Sequence, residues 1–203
     1  ALELANAISD YEGMAGSMNN IGTIYEHLGS FDKALDNYQR SILIYKQLGD
    51  QLGMARVYSN IGEVHRKQAD YESALKNYIK SLKLKEEILA KGEDNSIKQG
   101  LANTLNNIGM AYQYQGKLDK ASEEYEKALK INIELREADP KNLINKRETA
   151  QTYNNIGTTY FYKEDYNAAI GYFILAKLIR EEIGDKRLIA QSINNIGGIY
   201  FYL

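Results

Sequence analysis

The chain has 203 residues, of which 44% are apolar and 26% charged, long enough to bury a core and too apolar for disorder. Its formal net charge of -2 excludes the basic field that neutralises phosphates, so neither nucleic acid nor an anionic membrane is an expected partner. No stretch approaches the roughly 18 consecutive apolar residues of a membrane span, cysteine is absent, and one proline, Pro140, leaves the backbone free to be helical almost throughout.

In chain order, residues 1–10 read as the end of a second helix belonging to a preceding unit, because Asp10 stands 12 residues before Gly22, as Asp50 does before Gly62. Unit 11–50 opens with Met18-Asn19-Asn20-Ile21-Gly22, turns at Gly29-Ser30 and continues with Phe31, Ala34, Tyr38 and Ser41. Unit 51–97 repeats it: Tyr58-Ser59-Asn60-Ile61-Gly62, a turn at Ala69-Asp70, then Tyr71, Ala74, Tyr78 and Ser81. Unit 98–145 has Leu105-Asn106-Asn107-Ile108-Gly109, Gly116-Lys117 and Leu118, Ala121, Tyr125 and Ala128. Unit 146–185 has Tyr153-Asn154-Asn155-Ile156-Gly157, Glu164-Asp165 and Tyr166, Ala169, Phe173 and Ala176. Residues 186–203, with Ile193-Asn194-Asn195-Ile196-Gly197, form a fifth first helix.

The repeat glycines are 40, 47, 48 and 40 residues apart, so two units carry insertions, 91–99 and 139–147, expected to be longer second helices plus loops. Steps of three and four within each segment, with a two-residue turn between segments, predict an all-α array of antiparallel helical hairpins. A mid-helix Gly costs about 1 kcal/mol relative to Ala, so a close helix approach is expected at each, with Ala34, Ala74, Ala121 and Ala169 facing it. Tyr25, Tyr112, Tyr160 and Tyr200 are expected to fill space between layers.

Ile-Gly, then Tyr three residues on, Ala twelve after Gly, an aromatic four later and a small residue three after that resembles the tetratricopeptide repeat. The Trp near the start of the first helix and the Pro at the end of the unit are missing, and the unit is longer than 34 residues. These departures resemble the longer repeats of Pins-type polarity adaptors, kinesin light chains and bacterial sensor proteins. The resemblance implies a right-handed α-α superhelix, a solenoid, whose first helices line a concave groove.

The positions opposite the packing face of each first helix carry the candidate site. Asn20, Asn60, Asn107, Asn155 and Asn195 recur there, although Asn is a mediocre helix former. A ladder of carboxamides can bond the N–H and C=O groups of an extended peptide. The alternatives are that each Asn bonds a neighbouring repeat and sets its pitch, or is inherited by duplication. Asn19, Asn106, Asn154 and Asn194 lie to one side. Unit two adds Arg56, Arg66 and Lys67, with Glu63; later units add Asn103, Gln151 and Gln191, with Tyr114, Tyr162 and Tyr202 and with Phe161 and Phe201 nearby. A partner is expected to place an acidic group near Arg56 and Lys67 and a neutral, partly apolar stretch along the aromatic end; the competing reading of the charges is a solvated face. Family members that hold a C-terminal carboxylate with Lys and Arg have corresponding positions here at Asn19, Thr23, Asn60, Asn103 and Asn107, of which only Asn60 matches.

No catalysis, metal or cofactor is expected: His27 and His65 fall in different units without metal-ligand spacing, and there is no phosphate-binding glycine loop or nucleophile elbow. His65, in the Tyr position, is expected to pack; His27 lies on the free face. The leading expectation is therefore a scaffold module that binds a protein or extended peptide. A ligand-sensing regulatory region of a larger signalling protein, joined to a kinase, cyclase or transcription regulator, is the second. Open array ends predict self-association, and the absence of a targeting segment makes the expected compartment cytoplasmic.

Overall fold

A computed structural model describes residues 2–92 and 94–202, with side chains from Asp10 onward. The described residues form helices α1 (Leu2–His27), α2 (Phe31–Leu48), α3 (Gln51–Lys67), α4 (Tyr71–Leu89), α5 (Asn95–Tyr114), α6 (Leu118–Ala138), α7 (Leu143–Tyr162), α8 (Tyr166–Ile183) and α9 (Lys186–Ile199). They contain no strand. The helices divide into two compact units, Ala1–Ile97 and Lys98–Leu203.

Within the first unit α2 lies between α1 and α3, and α4 packs on α3. Within the second, α7 lies between α6 and α8, and α9 packs on α8. Each second helix thus covers the first helix of its own hairpin and, where another hairpin follows in the same unit, the next one. That repeated stacking is what buries faces that a lone hairpin leaves wet.

The recurrent second-helix positions are the core. Ala34, Tyr38 and Ser41, Ala74, Tyr78 and Ser81, Ala121, Tyr125 and Ala128, and Ala169, Phe173 and Ala176 are all 3% exposed or less. The nearest neighbours of the mid-helix glycines are rings, ahead of the alanines expected opposite them. A Cβ on Gly62 would stand 2.6 Å from Tyr78, one on Gly22 2.6 Å from Tyr38, one on Gly109 2.7 Å from Tyr125 and one on Gly157 2.9 Å from Phe173. At Gly157 the Ala169 carbonyl oxygen also stands close, at 3.3 Å. The ring four residues beyond the alanine reaches back along its helix, as helical side chains do, and so takes the contact.

Hairpin turns share one geometry. The first helix of each hairpin ends through a left-handed residue: Gly29, Ala69, Gly116 and Glu164, with φ of 71°, 60°, 72° and 62°. The following residue then bonds back to the helix, as in Asp70 N–H to the His65 carbonyl, 2.9 Å, which satisfies an orphan C=O. Asp70 and Asp165 go on to cap α4 and α8, accepting from the backbone N–H of Ser73 and Ala168 at 3.0 Å.

Several boundaries differ from expectation. α1 runs unbroken through Asp10, so the expected end of a preceding helix is continuous with the first helix of the next hairpin; Ala1 lies outside the described residues. The insertions go only partly into second helices: α6 has 21 residues, yet α4 has 19 against 18 in α2. The rest lengthens the first helices α5 and α7, each of 20 residues against 17 in α3. The boundaries drawn at 97/98 and 145/146 therefore fall inside helices. The cause is early capping. Asp94 accepts from the N–H groups of Ser96 and Ile97 at 2.7 and 3.2 Å, and Asn142 from those of Ile144 and Asn145 at 2.9 and 3.3 Å, so each helix starts at its cap. Tyr200 also departs from expectation: Tyr25, Tyr112 and Tyr160 pack against the core, while Tyr200 is 65% exposed.

Candidate peptide-binding face

In the first unit the carboxamides tie neighbouring hairpins together. Asn60 Nδ2 of α3 donates to Asn19 Oδ1 of α1 at 2.8 Å. One of its N–H groups and its oxygen remain for another partner. Asn20 is exposed. The charges flanking this row are engaged within the fold. Lys67 Nζ donates to Glu26 Oε1 at 2.8 Å, and the other oxygen of that buried carboxylate accepts from Tyr38 Oη at 2.9 Å. Arg66 forms a two-pronged pair with Glu63, which also accepts from Tyr78 Oη at 3.0 Å. Burial raises the Glu63 carboxyl, and the hydrogen bonds and charge of Arg66 more than offset this, leaving its pKa below the ordinary value. The buried hydroxyls of Tyr38 and Tyr78 are pushed the other way, above the usual phenol range, chiefly by desolvation. Of the two cations expected to meet an acidic partner, Arg56 is exposed, whereas Lys67 already has a carboxylate.

The second unit repeats the tie one hairpin further on: Asn195 Nδ2 of α9 donates to Asn154 Oδ1 of α7 at 3.1 Å. Between α5 and α7 the tie changes chemistry, since Asn106 Nδ2 donates instead to Thr152 Oγ1 at 2.9 Å. Asn107 is half-buried. Asn155 is 8% exposed rather than open on the free face, and its oxygen accepts from Gln151 Nε2 at 2.8 Å, one turn earlier on α7. Gln191 is exposed; Asn103 is exposed and accepts from Gln99 Nε2 at 3.2 Å.

Two adjacent clefts open on the second unit. One, about 440 Å³, is lined by Thr158, Phe161, Tyr162, Asn194, Asn195 and Tyr202 among others. The other, about 300 Å³, is lined by Gln113, Tyr114, Gly116, Leu118 and Tyr162. Tyr162, 57% exposed, is the wall they share, and Tyr114, 55% exposed, lies on its far side. Phe161 and Tyr202 meet edge to face with centroids 5.3 Å apart. Sequence reasoning found the aromatic row and Asn195 but not Thr158 or Gly198, which line the larger cleft; neither differs in type from residues that merely sit in a helix. Asn19, Asn106, Asn154 and Asn194, which lie to one side of the ladder, are the ladder's acceptors, the donor to Thr152 and a cleft wall.

Among the described residues no group of three or more His, Cys, Asp or Glu side chains could hold a metal ion, and no described helix is long and apolar enough to cross a membrane.

Three matches to tetratricopeptide repeat models cover residues 13–87, 102–133 and 149–183. No curated protein matches the sequence. Solved structures share the fold. BtubC (BKLC) from P. vanneervenii is 20% identical with a TM-score of 0.77, over 94% of this chain and 73% of that one. A signal transduction ATPase with numerous domains from Pyrococcus horikoshii, carrying a tetratricopeptide repeat sensor, is 17% identical with a TM-score of 0.77, over 94% of this chain and 28% of that one. Aspartyl phosphate phosphatase F from Bacillus subtilis is 14% identical with a TM-score of 0.78, over 99% of this chain and 49% of that one.

Proposed function

Because this chain belongs to the tetratricopeptide repeat family, we propose that it is a non-enzymatic module that holds an extended segment of a partner protein along its first helices. The observation that carries the reading is the pair of clefts sharing Tyr162, with the carboxamide of Asn195 at the edge of the larger one. Aromatic walls take apolar side chains of the segment, while carboxamides already oriented by their inter-hairpin bonds offer an N–H and an oxygen to its backbone. Orientation in advance lowers the entropy lost on binding. Asn60 and Asn195 thus act in two ways at once, as ties between hairpins and as peptide contacts. In the second unit Asn103, Asn107, Gln151 and Gln191 extend the polar row and Asn155 contributes through the bond it already makes; in the first unit Asn20 and Arg56 are exposed contacts, Arg56 for an acidic group, and Lys67 contributes through its pair with Glu26.

The test is peptide-display selection on the 203-residue chain beside a Tyr162→Ala variant, with melting followed by circular dichroism. Truncating a half-exposed ring at a cleft wall is expected to leave the melt unchanged and weaken enriched peptides by about tenfold or more. Absence of any enriched peptide, or equal binding by the variant, would remove the reading. A sensor role is the second reading, favoured by the tetratricopeptide sensor within the larger P. horikoshii signalling protein; it requires the same face but a ligand that changes the activity of a joined output domain.

A further inference from the structure

The hairpin of α7 and α8 carries a ring that the hairpin of α3 and α4 lacks. Tyr172, three residues after Ala169, stacks on Tyr160 of α7 with centroids 5.3 Å apart and meets Tyr153 at 6.2 Å. With Leu129 of α6 it packs on the core of Ala121, Tyr125 and Ile156. In the same register of the first unit stand Asn77, three residues after Ala74, with His65 for Tyr160, Tyr58 for Tyr153 and Ile42 for Leu129. Asn77 turns away from that space, since its Nδ2 donates back along α4 to the Ser73 carbonyl at 2.8 Å. A groove of about 520 Å³ is left between α2 and α4 over α3, with Ile42, Tyr58, His65 and Asn77 among its walls. Both flanking helices are in place, so the opening comes from the exchange of one ring for a short carboxamide.

The rim shows what charge an occupant carries. α2 lines the groove with Gln39 and Leu43 where α6 has Glu126 and Lys130, and α4 lines it with Lys80 where α8 has Leu175. Leu43 is 62% exposed, and Lys80 is exposed with Nζ 5.0 Å from the centroid of the Tyr58 ring. Among the described residues that line the groove none is an Asp or a Glu. The slot is therefore apolar on the α2 side and positive on the α4 side. Its floor suits a flat ring, because His65 and Tyr58 stand where Tyr160 and Tyr153 receive Tyr172.

We propose that this groove takes one aromatic side chain of an acidic segment of a partner protein. The ring enters the place that Tyr172 holds in the second unit, and a neighbouring carboxylate of the segment pairs with Lys80. None of the residues proposed above to hold an extended segment lines this groove, so the two sites are separable.

The probe is a fluorescein-labelled acidic heptapeptide, Asp-Asp-Glu-Tyr-Leu-Asp-Asp, read by fluorescence anisotropy against the whole 203-residue chain. Saturable binding is expected, weakened about tenfold or more when alanine replaces the tyrosine of the peptide or when Asn77→Tyr fills the groove from within the protein. Asn77→Tyr installs the ring that the second unit already packs, so its melt stays at or above the parent's. Lys80→Gln, at an exposed position, weakens binding less and flattens its response to salt, and Tyr162→Ala leaves it unchanged. No binding by the parent, equal binding by Asn77→Tyr, equal binding of a peptide with lysine in place of every acid, or loss with Tyr162→Ala would overturn the proposal. So would free N-acetyltyrosinamide binding as tightly as the peptide, because the groove would then hold a small aromatic molecule and no segment of a partner.

Discussion

Tyr38, Tyr78 and Tyr125 do two things with one side chain: each lays its ring on a glycine and sends its hydroxyl to an acceptor on the same first helix, Glu26, Glu63 or Gln113. Burying a phenol is favourable only because that hydroxyl is satisfied. Phe173 has no hydroxyl, and the residue matching Glu26 and Gln113 in its hairpin is Phe161. The pairing of ring with acceptor is visible in the sequence for Tyr38, Tyr125 and Phe173 once the ring is placed over the glycine; in the second hairpin the matching position is Arg66, and Tyr78 bonds Glu63 three residues earlier. The glycines then divide into two classes. Gly62→Ala drives a methyl into the Tyr78 ring and is expected to lower stability by about 1 to 3 kcal/mol. Gly197→Ala meets open space and is expected to raise it by up to about 1 kcal/mol through helix propensity; thermal melts of the two variants check both signs.

Lys85 is a residue whose placement no sequence pattern announced. It is 6% exposed, with Nζ 3.4 Å from Ser59 Oγ, at a register position held by Tyr45, Asn132 and Arg180 in the other hairpins. Four such different residues at one site hide it from any search for recurrence. Burial, and then the charge of Arg56, lowers its pKa to about 8. The folded state therefore holds this proton less tightly than the unfolded chain does between about pH 8 and the ordinary lysine value. Over that window the unfolded state binds more protons, so this group's contribution to stability rises with pH. Lys85→Met is expected to be more stable than the parent at pH 7, with the difference shrinking toward pH 9.5. Paired urea titrations at both pH values measure it, and a constant difference would remove the buried charge as the cause.

At the scale of elements, the hairpins were legible because a two-residue turn between helical faces allows little else, whereas the helix starts after the insertions were not. Asp94 and Asn142 are ordinary loop residues until their side chains are seen to accept the first free N–H groups of α5 and α7. The left-handed turn position offers a cleaner test. Gly29 and Gly116 occupy it without strain, but Ala69 and Glu164 hold φ of 60° and 62°, where a side chain costs about 1 to 2 kcal/mol. Ala69→Gly and Glu164→Gly are each expected to stabilise the chain by about 1 kcal/mol once the greater freedom of glycine in the unfolded state is counted. Differential scanning calorimetry should show both variants melting above the parent, while Gly29→Ala melts below it.

In a stacked array, stability accumulates from intrinsic hairpin terms and interfaces between neighbours, so an element with one neighbour opens more readily than one with two. In the second unit α7 packs against both α6 and α8, while α9 packs against α8. α9 has only Ser192 and Ile199 buried, against nine buried residues on α7. Amide hydrogen exchange is accordingly expected to be fastest along α9 and slow at Ile156 and Thr159 of α7. The same helix supplies Asn194, Asn195 and Gly198 to the larger cleft, so part of the binding face stands on an element with only two buried residues. A peptide seated in that cleft must order α9, and its binding energy is reduced by that ordering. Exchange measured with and without a selected peptide should therefore slow most on α9 and little on α7. Slowing confined to α7 would mean that the peptide is held without α9, with the carboxamide of Asn195 serving only the tie to Asn154.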